Sequence, residues 1–237
     1  MALAHRTDNR ACGTGKVSAQ ACACRGTRGS SSFAAEFIAR SGVGEMTIID
    51  GDTVDISNVN RQLPATQLNV GESKAKWMEQ RLLAINPALK LHVIQEFLAP
   101  LPMTALLAEQ HFDYVVDCID SFTPKLHLIE GAVNRGFPVA SSMGAGGKVD
   151  PTQIRVGDIS ETRHCKLAKM VRKRLRRRGI AKGVKAVYSL ELPMKESLML
   201  TDGKNYKKSA YGTMSFLPAA FGCSCASVVI NDLLAAE

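Results

Sequence analysis

Two acidic residues stand where short apolar segments of the chain end. Asp50 follows the apolar residues 47–49, and Asp120 lies just beyond the apolar residues 114–116. Because ligands of open α/β sheets collect at the carboxyl ends of strands, we expect both carboxylates at one edge of a sheet. Asp50 also stands two dozen positions after Gly26, a spacing typical of the carboxylate that holds ribose hydroxyls in nucleotide-binding Rossmann units. The alternative is a turn or helix-capping role for each Asp.

Two basic residues, Arg61 and Lys74, could supply fixed positive charge for a triphosphate. Arginine offers a planar fork of donors and lysine a compact point charge. Each could instead be a solvated surface cation, because charged side chains are mostly exposed. Asp120 is the expected Mg²⁺ ligand, since one carboxylate together with substrate phosphates is the ordinary arrangement for nucleotide chemistry.

These residues are carried by a regular alternation of elements. The patterns predict a helix after Ser32, strands near 47–50, 91–94, 113–117 and 138–141, and further helices near 72–85 and over 124–135. Alternating strands and helices indicate an α/β, Rossmann-like, doubly wound and mostly parallel sheet. Beyond this sheet we expect a basic C-terminal extension: a helix over 166–178, strands over 185–190 and 212–217, and a closing apolar helix over 219–235. No apolar run suggests a transmembrane segment.

Three spaced motifs resemble the signature of the ThiF/MoeB adenylyltransferase family. They are D-x-D at Asp50 and Asp52, S-N-x-x-R-Q over 57–62, and V-G-x-x-K-A over 70–75. The resemblance implies that the chain binds ATP and Mg²⁺, with Asp120, Arg61 and Lys74 as catalytic residues and Asp120 as the metal ligand. The residues that it implies for the nucleotide site are Gly26, Gly29, Asp50, Asp52, Asn58, Arg61, Lys74 and Asp120.

A further block resembles one branch of this family, the tRNA threonylcarbamoyladenosine dehydratases. It begins with Gly144-Ala145-Gly146-Gly147-Lys148 and continues to 156, and the motif over 212–218 accompanies it, so the resemblance spans about 29–235. Members of that branch use ATP to activate the threonyl carboxylate of a modified adenosine beside the tRNA anticodon, and then close it to a cyclic form. The resemblance therefore implies adenylation of a tRNA substrate and no redox cofactor.

The basic segment 163–185 is the expected tRNA contact. The chain has a formal net charge of +8 and a pI near 9.2, which favours polyanionic partners. The segment contains no acidic residue, so it gains no stabilising i,i+4 ion pairs, and phosphate attraction is its clearest use. The alternative is a solvated charged face. The residues expected to bind RNA are Arg172, Lys173, Arg176, Arg177 and Arg178.

The phosphate loop departs from the family pattern G-x-G-G-V-G-S. The chain keeps Gly26 and Gly29, but Arg28 and Ser31 stand where the family has glycine, which hinders close approach of the backbone to phosphate. We expect a nucleotide-binding domain over 29–237, with residues 1–28 a divergent extension or a degenerate first strand. The expected location is cytoplasmic. An organellar transit peptide, mitochondrial or plastid, is the alternative, because the N-terminus is rich in arginine and poor in acids.

Seven cysteines without a C-x-x-C pair indicate neither a disulfide framework nor a zinc ribbon. Cys165, Cys223 and Cys225 are conceivable nucleophiles, although Cys223 and Cys225 are expected to be small core residues. A sulfur-transfer or cysteine desulfurase partner is possible. Two other functions stay open: an activating enzyme for a ubiquitin-like or sulfur-carrier protein, and a catalytically silent tRNA-binding relative. Family analogy favours a homodimer.

Overall fold

One mixed sheet of seven strands organises the chain. The computed structural model describes residues 20–24, 29–200 and 209–236. The strands of this sheet are β1 (Gln20–Cys24), β2 (Glu45–Ile49), β3 (Lys90–Ile94), β4 (Tyr114–Asp117), β5 (Val139–Ser142), β6 (Ile154–Asp158) and β7 (Val184–Ser189). Their spatial order is β3-β2-β1-β4-β5-β7-β6. All neighbours are parallel except β6, which runs antiparallel to β7.

The strand order reverses between β1 and β4. From β1 the chain moves outward through β2 to β3, and it then returns to place β4 on the other side of β1. Such a switch point opens a crevice at the carboxyl ends of the strands. The predicted doubly wound, mostly parallel fold is confirmed. A separate two-stranded ribbon, β8 (Leu198–Leu200) with β9 (Ser209–Tyr211), lies outside the main sheet.

Six α-helices surround the sheet in the described part of the chain. They are α1 (Ser30–Arg40), α2 (Lys74–Ile85), α3 (Pro100–Glu109), α4 (Phe122–Val133), α5 (Lys166–Arg177) and α6 (Phe216–Ala235). They divide between two apolar clusters, as a doubly wound fold requires. Residues of α1, α2 and α6 pack into one cluster, and residues of α3, α4 and α5 pack into the other.

Helix α6 packs closely against α1. Gly222 makes the approach possible, because a Cβ there would lie 2.4 Å from the Ser30 carbonyl oxygen and 2.8 Å from Phe33 Cβ. Leu217, Phe221 and Val229 of α6 are fully buried. Among the described residues α6 alone is long and apolar enough to cross a membrane, with a mean hydropathy of 1.5. That is weak support for a membrane span, because buried core helices share this composition.

Two expectations about the C-terminal extension are wrong. Residues 212–217 do not form a strand: β9 ends at Tyr211 and α6 begins at Phe216. The helix gains the burial of Leu217, and Pro218 is tolerated because it lies in the first helical turn. Cys223 is exposed rather than a core residue, whereas Cys225 is buried as expected. Helix α3 and the edge strand β6 were not predicted.

Candidate functional site

An open cleft lies at the carboxyl end of β2, between the N-termini of α1 and α2. Its empty volume is about 450 Å³. Three of the predicted nucleotide-site residues line it: Gly29, Asp50 and Lys74. The remaining lining residues are Ser31, Ser32, Ala35, Ile48, Ile49, Gln62, Pro64, Ala75 and Met78. The cleft thus combines an apolar wall with one carboxylate and one ammonium group.

The loop after β2 links the acidic residues of the D-x-D motif to Lys74. The backbone N–H of Asp52 donates to Asp50 Oδ1 at 2.8 Å. Lys74 Nζ lies 3.6 Å from Asp52 Oδ2, and Lys74 N donates to the Asp52 carbonyl at 3.1 Å. Only 4% of Lys74 is exposed. The surface alternative for Lys74 is therefore wrong, because α2 begins at this residue and holds it against the loop.

A short 3-10 turn over Ile56–Asn58 positions the second motif. Asp55 caps the turn by accepting from Ser57 N at 2.8 Å. Hydrogen bonds from the side chain and the backbone of Ser57 lower the pKa of Asp55. The buried Asn58 closes the turn by accepting from Asp55 N at 3.2 Å. Asn58 is thus placed as a structural residue of this loop.

Arg61 and Gln62 follow that turn. Arg61 donates to Asn60 Oδ1 at 2.7 Å and to the Ser57 carbonyl, and it does not line the cleft. Gln62 does line the cleft, is 5% exposed, and has an Nε2 atom with no hydrogen-bond partner among the residues that the structure describes. Buried donors are normally satisfied, so a partner from a bound molecule is the natural completion. The S-N-x-x-R-Q motif contains Gln62, but residue type alone did not single it out.

The N-terminus of α1 faces the cleft and leaves no room for a side chain at Gly29. A Cβ there would lie 2.5 Å from the Arg61 carbonyl oxygen and 2.6 Å from Pro218 Cβ. Ser32 Oγ donates to the Gly29 carbonyl at 3.0 Å. Helix N-termini favour anions, which suits phosphate binding here. Gly26 and Arg28 lie outside the described residues, as does all of 1–28 except β1.

Asp117 and Asp120 stand at the two ends of the segment that leads from β4 into the turn before α4. Asp117 is the last residue of β4 and is fully buried, whereas Asp120 is half-buried in the turn and accepts from Ser121 Oγ at 3.4 Å. The N-cap of α4 is Ser121, so Asp120 is not the capping residue. Asp117 contacts the buried Lys125 and Ser141. Sequence analysis missed both partners.

The basic helix α5 turns one apolar stripe to the core and its cations outward. Ala168, Val171 and Leu175 are buried. The five predicted RNA-binding residues divide into two groups. The first group, Arg172 and Arg178, contacts other residues of the fold. Arg172 donates to Thr162 Oγ1 at 2.7 Å, and Arg178 pairs with Glu130.

The second group is Lys173, Arg176 and Arg177. These three side chains are exposed, and they form no ion pair with any residue that the structure describes. They are therefore the part of the predicted RNA contact that projects into solvent.

The cysteines whose side chains the structure describes are Cys118, Cys165, Cys223 and Cys225, and their surroundings are structural. A hydrogen bond with Cys225, together with burial, raises the pKa of Cys118. Cys165 caps α5, where its Sγ accepts from Ala168 N at 3.5 Å, and it is buried. Near it, burial lowers the pKa of Lys148, against the opposing effects of Cys165 and Glu191. No nucleophile with an adjacent base is assembled among the described cysteines.

The ThiF family matches residues 7–236 of the chain. A tRNA threonylcarbamoyladenosine dehydratase from Bacillus subtilis is 39% identical over 220 residues, which cover 88% of this chain and 85% of the relative. Two solved structures of the Escherichia coli tRNA N6-threonylcarbamoyladenosine dehydratase, one with AMP and one with ATP, are 34% identical. They align with TM-scores of 0.81 and 0.80, over 93% of this chain and 87% of theirs.

Proposed function

The chain belongs to the ThiF family, in the branch of the tRNA threonylcarbamoyladenosine dehydratases, and we propose that it is an enzyme that uses ATP to dehydrate threonylcarbamoyladenosine in tRNA. The observation that carries the proposal is the cleft at the carboxyl end of β2. Asp50 and the buried Lys74 both line it, together with apolar residues and the first residues of α1.

The cleft fits a nucleoside triphosphate. Asp50 follows β2 and supplies acceptors for ribose hydroxyls, while Lys74 and the α1 N-terminus supply positive potential for phosphates. The unpartnered Gln62 Nε2 would gain an acceptor from the nucleotide. Gly29 keeps the backbone at the start of α1 clear of side-chain atoms. The proposed nucleotide site also includes Asp52, Asn58 and Arg61, which belong to the loop after β2, and Asp120 in the turn after β4.

The proposed chemistry has two displacement steps. A carboxylate oxygen of the modified adenosine attacks the α-phosphorus of ATP, and pyrophosphate leaves. The urea group of the same substituent then attacks the activated carbonyl carbon and loses one N–H proton to solvent, and AMP leaves with one of the two carboxylate oxygens. The product has therefore lost the atoms of one water molecule. Lys74 stabilises the negative charge on the phosphates during the first step, and the buried position of its ammonium group strengthens that effect.

Mg²⁺ is proposed to bind at Asp120. No group of three His, Cys, Asp or Glu residues forms a metal site in the described ranges. A single carboxylate together with substrate phosphates fits the preference of Mg²⁺ for few protein ligands. When bound, the ion neutralises charge on the leaving pyrophosphate. Asp120 belongs to the turn between β4 and α4, at the carboxyl edge of the sheet where β4 pairs with β1.

The proposed tRNA contact is the exposed face of α5. Helix α5 packs against α4, and Arg178 just after α5 pairs with Glu130 in the last turn of α4, so the cations near the end of α5 lie toward the amino edge of the sheet. Lys173, Arg176 and Arg177 are the residues that we propose to touch RNA phosphates. Arg172 and Arg178 fix the helix within the fold.

The remaining proposals concern assembly and location. We propose a homodimer on family analogy, and an activating enzyme for a ubiquitin-like or sulfur-carrier protein remains the second function because the fold is shared. A silent tRNA-binding relative is the third. We assign no described cysteine of this chain as the residue that would receive sulfur from a cysteine desulfurase partner. A cytoplasmic location is proposed, and the organellar alternative rests on residues outside the described part of the chain.

Exchange of labelled pyrophosphate into ATP separates the three functions. The proposal predicts exchange only with tRNA that carries threonylcarbamoyladenosine. Exchange with a carrier protein would favour the activating enzyme. ATP binding without exchange on any substrate, or no ATP binding at all, would favour the third function, a catalytically silent tRNA-binding relative.

A further inference from the structure

A fully buried ion pair joins three elements at the carboxyl edge of the sheet. Asp117 ends β4, Lys125 lies on α4, and Ser141 lies on β5, and none of the three is exposed to solvent. None of them lines the cleft. We propose that this network is a positioning device that holds Asp120 in the geometry needed to bind Mg²⁺ with ATP. The proposal rests on the ATP-dependent function proposed above.

Each oxygen of the Asp117 carboxylate has a separate task. Oδ1 accepts from the backbone N–H of Ile119 at 3.0 Å and so shapes the turn that leads to Asp120. Oδ2 accepts from Lys125 Nζ and from Ser141 Oγ, the latter at 2.5 Å. The rotation of the carboxylate is thereby fixed by groups on two neighbouring elements.

The ammonium group of Lys125 is fully satisfied by this arrangement. Besides Asp117 it donates to Ser141 Oγ at 3.1 Å and to the Ser142 carbonyl at 2.8 Å, which uses all three of its protons. Asp117 and Ser141 are also paired in the parallel register of β4 and β5. The network therefore connects directly to the backbone of the sheet.

The turn that carries Asp120 is held at both ends. Asp117 precedes it, and Lys125 follows it by one helical turn, with Lys125 N donating to the Ser121 carbonyl at 3.3 Å. The N-cap Ser121 makes no side-chain capping bond, so the anchor for the start of α4 is the Lys125 side chain rather than a cap. Movement of either anchor would displace residues 118–121.

Stability alone does not explain a buried ion pair at this place. Replacing such a pair by apolar residues of similar volume is often neutral or stabilising, because the desolvation of two charges offsets their attraction. A network of this kind serves to select one arrangement of the groups that it contacts. Here those groups are the start of α4 and the turn that carries Asp120.

The test uses a charge-neutral double variant, Asp117→Asn with Lys125→Met. It removes both charges together, so no buried charge is left without a partner. Its matched control is Tyr114→Phe, which removes a different buried hydrogen bond of β4, from Tyr114 to Asp232 at 2.8 Å. Calorimetry measures ATP affinity with and without Mg²⁺, and pyrophosphate exchange measures kcat and the Mg²⁺ concentration for half-maximal rate.

In the double variant we expect ATP affinity without Mg²⁺ to match the wild type, and the gain in affinity on adding Mg²⁺ to fall about tenfold. The Mg²⁺ requirement of exchange should rise by a similar factor, while Tyr114→Phe keeps both at the wild-type level. An unchanged Mg²⁺ dependence in the double variant overturns the proposal. If the double variant does not fold, Ser141→Ala provides the same test with a smaller shift.

The two proposals fail in different ways. If the wild type gives no exchange on any substrate, the proposed function fails, and the calorimetric Mg²⁺ dependence still decides the role of the network. If the wild type exchanges and the double variant does so with unchanged kcat and Mg²⁺ requirement, the function stands and the positioning role is refuted.

Discussion

Lys74 Nζ lies 3.6 Å from Asp52 Oδ2, and this pair ties the first turn of α2 to the loop after β2. The aspartate side chain is 19% exposed and the lysine side chain 5%. A lysine held beside one carboxylate at the wall of a cleft has a fixed geometry. The pair therefore prepares the cleft for the phosphate group that we propose to bind there.

Replacement of Lys74 tests this preparation. Lys74→Ala should weaken ATP binding by roughly 10- to 100-fold, because it removes a charge-assisted contact from a partly desolvated site. The control is Lys76→Ala, an exposed lysine two residues along the same helix, which should leave binding unchanged. Calorimetric titration with ATP measures both variants. Equal affinity of Lys74→Ala and the wild type would remove Lys74 from the nucleotide site.

Gly29 should tolerate no side chain. Gly29→Ala places a Cβ within 2.6 Å of both the Arg61 carbonyl oxygen and Pro218 Cβ, so we expect a loss of about 1–3 kcal/mol in the free energy of unfolding. Gly212→Ala is the control, because its nearest contact would be an ordinary 3.6 Å. Urea unfolding of both variants gives the comparison. Similar stabilities for the two would show that the backbone near Gly29 adapts readily.

The basic helix should contribute a salt-dependent term to tRNA binding. Changing Lys173, Arg176 and Arg177 together to Ala should lower the slope of log affinity against log salt concentration by roughly two to three units. ATP binding should be unaffected. Arg178→Ala, which breaks the contact with Glu130, should change stability more than slope. An unchanged slope in the triple variant would identify the helix as only a solvated face.

Glu36 should give a stability term that depends on pH. Burial opposes its charge, but hydrogen bonds from Arg81 and Arg40 outweigh burial and lower the pKa of Glu36 below its ordinary 4.5. A depressed pKa adds stability above the unfolded-state value and loses it as pH falls through the folded-state value. Glu36→Gln should therefore cost about 1 kcal/mol at pH 7, and this difference should shrink as the pH falls below 4.5.

Thermal unfolding of Glu36→Gln and the wild type across this pH range measures the effect. A difference that persists undiminished at the lowest pH would contradict an ionic origin. Glu79→Gln is the control, because Glu79 forms no ion pair with any described residue and should show no pH-dependent difference.

The sequence predicted features that depend on local patterns. Apolar periodicity placed the strands β2, β3, β4, β5 and β7 and every helix except α3, and motif spacing placed Asp50 and Lys74 beside one cleft. The sequence did not predict the Asp117 network. Its partners Lys125 and Ser141 come together only when β4 and β5 pair and α4 packs against them. The contact of Arg178 with Glu130 was missed for the same reason, since it joins residues 48 positions apart.

The error over residues 212–217 has a different physical origin. Phe216 and Leu217 are apolar and suit either a strand or a helix, and short apolar runs do not separate these states. The helical state is favoured because it buries Leu217 in the apolar cluster that also contains residues of α1. The surrounding motif lies near the nucleotide site, because the Thr213 carbonyl accepts from Asn60 at 3.3 Å and Pro218 faces Gly29.

The central claim is that the chain dehydrates threonylcarbamoyladenosine in tRNA at the expense of ATP. Its most direct test is mass spectrometry of nucleosides from threonylcarbamoyladenosine-containing tRNA incubated with the protein, Mg²⁺ and ATP. Lys74→Ala and a reaction without ATP serve as controls. We expect the wild type to convert the nucleoside to a product lighter by one water, with no conversion in either control. An unchanged nucleoside in the presence of folded wild-type protein that binds ATP would contradict the account.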